Sequence, residues 1–70
     1  MSNTFKQTGV VKFFKRDKAY GFITMDENQE DLFVHKNDCN GVELQKGERV
    51  EFIIGDGKKG KIAQEVAIVD

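Results

Sequence analysis

Seventy residues, 39% hydrophobic and 33% charged, are enough for one small domain. Such a chain buries only about 60% of the surface it exposes when unfolded, so an enclosed catalytic pocket has little room and function belongs on an open face. Eleven basic against twelve acidic residues give a net charge of −1, which speaks against a polybasic partner-binding chain.

Residues 1–7 form a polar tail apart from Phe5, without the apolar core of a signal peptide, and residues 8–70 form a single domain. Apolar residues then fall in five short groups rich in Val, Ile and Phe, which predict strands over Gly9–Lys15, Ala19–Thr24, Asp31–His35, Arg49–Ile54 and Ile62–Val69. Between them lie Lys15-Arg16-Asp17, Asp26-Glu27-Asn28, Asn40-Gly41, Lys46-Gly47 and Asp56-Gly57, compositions suited to turns. Lys36–Lys46 lacks period-2 order and is expected to be a loop with a short helical turn. Five strands without a long helix predict an all-β barrel or sandwich. The longest apolar run, Val66–Val69, is far too short for a membrane span, so no membrane association is expected. Cys39 is unpaired, which suits a reducing, cytoplasmic setting, and reads as an incidental loop thiol open to oxidation.

Charge is uneven along this order. Residues 1–18 carry five bases and one acid, residues 26–56 nine acids and three bases, and residues 57–70 three bases and two acids. The net charge therefore describes no single surface.

Alternation along the strands sorts the side chains. Tyr20, Phe22 and Thr24 share one face of the second strand, and Gly21 and Ile23 the other; Phe33 and His35 oppose Leu32 and Val34 in the third; Val50, Phe52 and Ile54 oppose Glu51 and Ile53 in the fourth. Two arrangements fit. Either the rings form the core, or Ile23, Leu32 and Val34 do and the rings face solvent. His35 on the aromatic face, Lys12 and Lys18 beside it, and a sufficient aliphatic core favour the second. Aromatics interleaved with lysines suit a single-stranded nucleic acid, because bases stack on rings for about 1–3 kcal/mol each while cations track phosphates.

These segments also resemble a family. Lys18-Ala19-Tyr20-Gly21-Phe22-Ile23 is similar to the first ribonucleoprotein motif of cold-shock domains, usually K-G-F-G-F-I, and Leu32-Phe33-Val34-His35 to the second, usually V-F-V-H. Gly9-Val10-Val11-Lys12-Phe13-Phe14 resembles the opening strand G-x-V-K-W-F, and Gly47–Phe52 and Gly57–Gly60 resemble later pieces, all in family order. The resemblance implies an OB-fold, a five-stranded antiparallel barrel. It further implies stacking by Phe13, Tyr20, Phe22, Phe33 and His35, with Phe14 a further candidate. Lys12, Lys18 and Lys59 would contact backbone or bases, and Asp31 would accept a hydrogen bond from a base edge. Lys36 is a candidate contact where the family commonly has an aromatic. Val11 and Phe13 share parity although one belongs in the core and the other outside, which predicts a β-bulge near Lys12.

The departures from the family pattern are specific. Phe13 replaces tryptophan, Lys15 replaces asparagine, and the loop between His35 and Val50 is short and lacks its usual aromatic, with Val42 and Leu44 the nearest apolar residues. Ala19 replaces a glycine, which is harmless if the backbone there is extended. Charge in place of rings at one end predicts weaker binding of shorter stretches with a steeper salt dependence. The implied activity is binding of single-stranded RNA and DNA by a monomeric RNA chaperone that affects translation or transcription termination, without catalysis, cofactor or metal. One His and one Cys supply neither a metal site nor a nucleophile with its supporting groups. The rival of another class is a protein-interaction module that meets a basic partner with its acidic half.

Overall fold

Each alternating run becomes a strand: β1 (Gln7–Lys15), β2 (Tyr20–Met25), β3 (Asp31–His35), β4 (Arg49–Gly57) and β5 (Gly60–Ile68). The computed structural model describes residues 6–39, 41–58 and 60–69. Phe5, assigned to the tail, and Lys59, a candidate contact, lie outside the described residues, as does Asn40 of the expected Asn-Gly turn. The strands close into a barrel in the order β1-β2-β3-β5-β4, with β4 paired back onto β1. The all-β, five-stranded OB-type barrel expected from the sequence is the observed fold.

Four seams are antiparallel. The fifth, between β3 and β5, is parallel and rests on the single register pair Phe33↔Ile62. Closure is parallel there because β4 intervenes between the two strands in the chain and reverses its direction once more.

The aliphatic face expected inward, Ile23, Leu32 and Val34, is buried, and residues from every strand and from the β3–β4 connection complete the core. Val11, Ile23, Leu32, Val34, Val50, Phe52, Ala63 and Val66 are all buried. Burying a side chain the size of Phe52 contributes about 1.5–3 kcal/mol, so this set is what drives closure. Between Val11 and Phe13 the β1–β2 register slips by one residue, with Val11 opposite Ile23 and Phe13 opposite Phe22. This is the bulge the parity conflict required, and Lys12 is the extra residue.

Gly21 shows why the central motif keeps a glycine. A Cβ at that position would collide with the Phe13 carbonyl and with Phe14, so β1 comes this close only because Gly21 has no side chain.

Three expectations are corrected. Cys39 is buried in the core beside Leu44 rather than lying in the loop surface, because the 3-10 turn Lys36–Asp38 swings it inward. Its thiol donates to the His35 carbonyl at 3.5 Å, and burial, with Asp38 nearby, pushes its pKa up. Such a thiol is protected from oxidation, not exposed to it. Asp56-Gly57 is not a turn: β4 runs through Gly57, and only two residues separate it from β5. Ala19 has φ 62°, the left-handed region, so the extended backbone that would make alanine harmless there is not what the chain adopts.

Candidate nucleic-acid interface

The outer face of β1–β3 carries the rings because the bulge puts Phe13 in phase with the next two strands. Phe13 stands opposite Phe22, Phe22 opposite Phe33, and Tyr20 opposite His35. Their side chains touch in a continuous set. Phe13 and Phe22 have centroids 5.4 Å apart at 54°, Phe22 and Phe33 5.9 Å apart at 81°, and Tyr20 and Phe33 5.6 Å apart at 22°. These are tilted, edge-on and offset-stacked arrangements within the favourable range for aromatic pairs. Phe33 is 37% exposed, a large value for a phenylalanine. The outward arrangement of the aromatic face is therefore the observed one.

His35 ends β3 half-buried and accepts a hydrogen bond at Nδ1 from the Asn37 backbone N–H, 3.1 Å away. That bond caps the 3-10 turn and leaves the Nε2 side as the donor in the neutral ring. Phe14 is separated from the others. It stands opposite Gly21, on the inward side, and packs against the core.

The charged residues fall at two ends. Lys12, on the bulge, donates from Nζ to Asp31 Oδ2 at 2.8 Å, and the Thr24 hydroxyl donates to Asp31 Oδ1 at 2.9 Å. The Lys12 ammonium first, then the Thr24 hydroxyl, hold the Asp31 carboxyl below the usual carboxylate range. A carboxylate has about four acceptor positions, so Asp31 keeps capacity for one more donor. Beyond it, an open cleft of about 680 Å³ runs between β3 and the β4–β5 hairpin, lined by Phe22, Asp31, Phe33, Lys58, Lys61 and Ile62. At the other end, a cleft of about 570 Å³ is lined by Phe14, Arg16, Asp17, Lys36, Val42 and Glu43. Arg16 Nε lies 2.9 Å from Glu43 Oε1 across it. Lys18 and Lys36 are exposed and pair with no acid among the described residues.

Sequence reasoning gave no contact role to four residues here. Thr24 shares the parity of Tyr20 and Phe22, which already placed its hydroxyl on this face. Lys15 follows Phe13 by two residues, and its Nζ lies 5.9 Å from the Phe13 ring centroid. Arg16 and Glu43 are 27 positions apart in the sequence, and no local signal joins them. Of the two apolar residues nearest the missing aromatic, Leu44 is core and Val42 is exposed in the cleft. Among the described residues no group of three His, Cys, Asp or Glu side chains is arranged to hold a metal, and no helix is long and apolar enough to cross a membrane.

Residues 7–69 match the 'Cold-shock' DNA-binding domain family. The chain is 44% identical to the major cold shock protein CspA of Pseudomonas aeruginosa over 99% of this chain and 100% of that protein. It is also 44% identical to the cold shock protein CspV of Vibrio cholerae, over 87% of this chain and 91% of that one. The major cold shock protein of Micrococcus luteus is 46% identical over 83% and 91%. Among solved structures, Drosophila Unr CSD456 superposes with a TM-score of 0.80 at 20% identity, over 97% of this chain and 28% of that chain. That likeness bears on the fold.

Proposed function

The chain belongs to the cold-shock domain family, a nucleic-acid-binding family, and from that premise we propose that it binds single-stranded RNA and DNA by stacking bases on its outer ring face. The observation that carries this reading is the contact set Phe13–Phe22–Phe33–Tyr20, turned to solvent while aliphatic residues fill the core. Rings placed outward at the cost of wet apolar surface need a partner with flat apolar faces, and unpaired bases supply them. His35 adds a further flat face with a donor. Lys12, Lys18 and Lys36 sit where the sugar-phosphate chain would pass, and Asp31 where a base edge would donate.

The reaction is binding alone. Occupying only the open strand draws hairpins toward their unpaired form by mass action, with no energy source. This is the basis for an RNA-chaperone role affecting translation or transcription termination, carried out by a monomer in the cytoplasm without catalysis.

Chemical-shift mapping with heptathymidine tests the reading. Shifts should concentrate at Phe13, Tyr20, Phe22, Phe33 and His35, and a duplex of equal length should leave them unmoved. Shifts confined to the acidic segments, or no response to either DNA or RNA, would overturn it in favour of a protein-binding module.

A further inference from the structure

Two of the cations beside the ring face already have carboxylate partners from the same chain. Lys12 holds Asp31 at one end, and Arg16 holds Glu43 at the other. The second pair differs from the first in its surroundings. It spans the cleft that begins where the ring face stops, since Phe14 and Arg16 follow Phe13 along β1 and its turn, and Lys36 follows His35. A strand lying on Phe13 and His35 and continuing past them must enter this cleft. There it meets the rim of Phe14, the cations Arg16 and Lys36, and the acids Asp17 and Glu43. Of the two acids, Glu43 is the one in contact with a cation the strand would use.

We infer that Glu43 is an internal competitor for phosphate at Arg16, and so sets how far along a strand this protein grips. The inference rests on the single-strand reading above. A phosphate arriving at Arg16 must displace the Glu43 carboxylate and then lie close to it, which costs Coulomb energy that a neutral neighbour would not impose. Nucleotides over the rings are unaffected, because they are held by stacking and lie outside the cleft. The result is a short footprint: strong contact over the rings, damped contact beyond them. It also holds back part of the salt dependence that the cation count suggests, since an arginine already neutralised releases fewer counterions from the ligand.

Both side chains are exposed, 75% for Arg16 and 61% for Glu43, so either can be changed without disturbing the core. Trithymidine and heptathymidine are titrated by tyrosine fluorescence at two salt concentrations against the wild type, Glu43→Gln, Arg16→Gln and the double variant, with thermal melts to show equal folding. Glu43→Gln should bind heptathymidine about two- to five-fold tighter at low salt, the range that exposed ion pairs command, with a steeper salt dependence. Trithymidine should bind the wild type and Glu43→Gln alike, and the gain for heptathymidine should vanish in the Arg16→Gln background. Unchanged or weaker binding by Glu43→Gln, a gain that survives loss of Arg16, or an equal gain for trithymidine would each overturn the inference while leaving single-strand binding intact. Failure of the wild type to bind heptathymidine and an RNA of the same length would overturn the single-strand reading itself, and this inference with it.

Discussion

Tyr20 and Phe33 lie on adjacent strands, not directly opposite but on the diagonal, with ring planes 22° from parallel and centroids 5.6 Å apart. Each ring therefore fixes the orientation of the other. Phe33→Ala should weaken heptathymidine binding by about 1–3 kcal/mol with the fold retained, because the lost ring is outside the core. Tyr20→Ala should do the same, but the double variant should lose less than the two combined, since a lone ring is already misplaced. Calorimetric titration of the four proteins measures this, and strict additivity would show the rings acting separately.

A second prediction concerns Ala19, held at φ 62° in the turn before β2, where its carbonyl accepts from the Lys36 N–H at 2.9 Å. Ala19→Gly removes the left-handed strain of a residue with a Cβ, partly offset by the greater freedom of glycine in the unfolded chain. The variant should be about 0.5–1 kcal/mol more stable in urea unfolding, with nucleic-acid affinity unchanged. A destabilised variant would mean that the turn relaxes around alanine.

Asp26 ties three strands at one rim of the barrel. It accepts from the Thr8 hydroxyl at 2.8 Å and from Arg49 Nη2 at 2.7 Å. The Thr8 bond first, then Arg49, depress its carboxyl below the usual carboxylate range. A folded pKa lower than the unfolded one gives a contribution that is complete above the ordinary carboxylate pKa and is lost as pH falls through the depressed one. The wild type's free energy of urea unfolding should therefore exceed that of Asp26→Asn most above pH 5, and the gap should close as pH falls through the depressed pKa. A gap that stays constant across that range in urea melts followed by circular dichroism would refute this.

Cys39 provides a fourth prediction. Its side chain is fully buried and its thiol pKa raised, so a thiol reagent should react slowly with the folded protein and rapidly in denaturant. Fast labelling under native conditions would place the residue outside the core.

Period-2 alternation made the core legible. Parity separates Ile23, Leu32 and Val34 from the rings, and the chemistry of His35, Lys12 and Lys18 decides which of the two faces is wet. The conflict between Val11 and Phe13 even located the bulge. What alternation does not encode is the loops. Cys39 and Leu44 are core because a 3-10 turn and a following irregular segment fold over one end of the barrel, and neither has a period to read. The Asp56-Gly57 pair has turn chemistry, yet β5 pairs with β4 through Gly57, and cross-strand pairing prevails over local preference. The candidate site divides the same way: the rings come from strands and were visible, whereas Glu43 comes from a loop and enters only through its contact with Arg16.

The one-residue slip at Lys12 has a consequence for how this sequence tolerates change. It acts as a phase shifter, letting a single strand seal the interior with Val11 and present Phe13 outside two positions later. Substitutions on either side leave the phase alone. Deleting Lys12 would make Val11 and Phe13 neighbours, which plain alternation already sends to opposite faces, so Phe13 would stay opposite Phe22 and Phe14 opposite Gly21. What the strand would lose is the ammonium that the extra residue carries to Asp31, so the slip adds a cation to the rim of the ring face without moving ring or core.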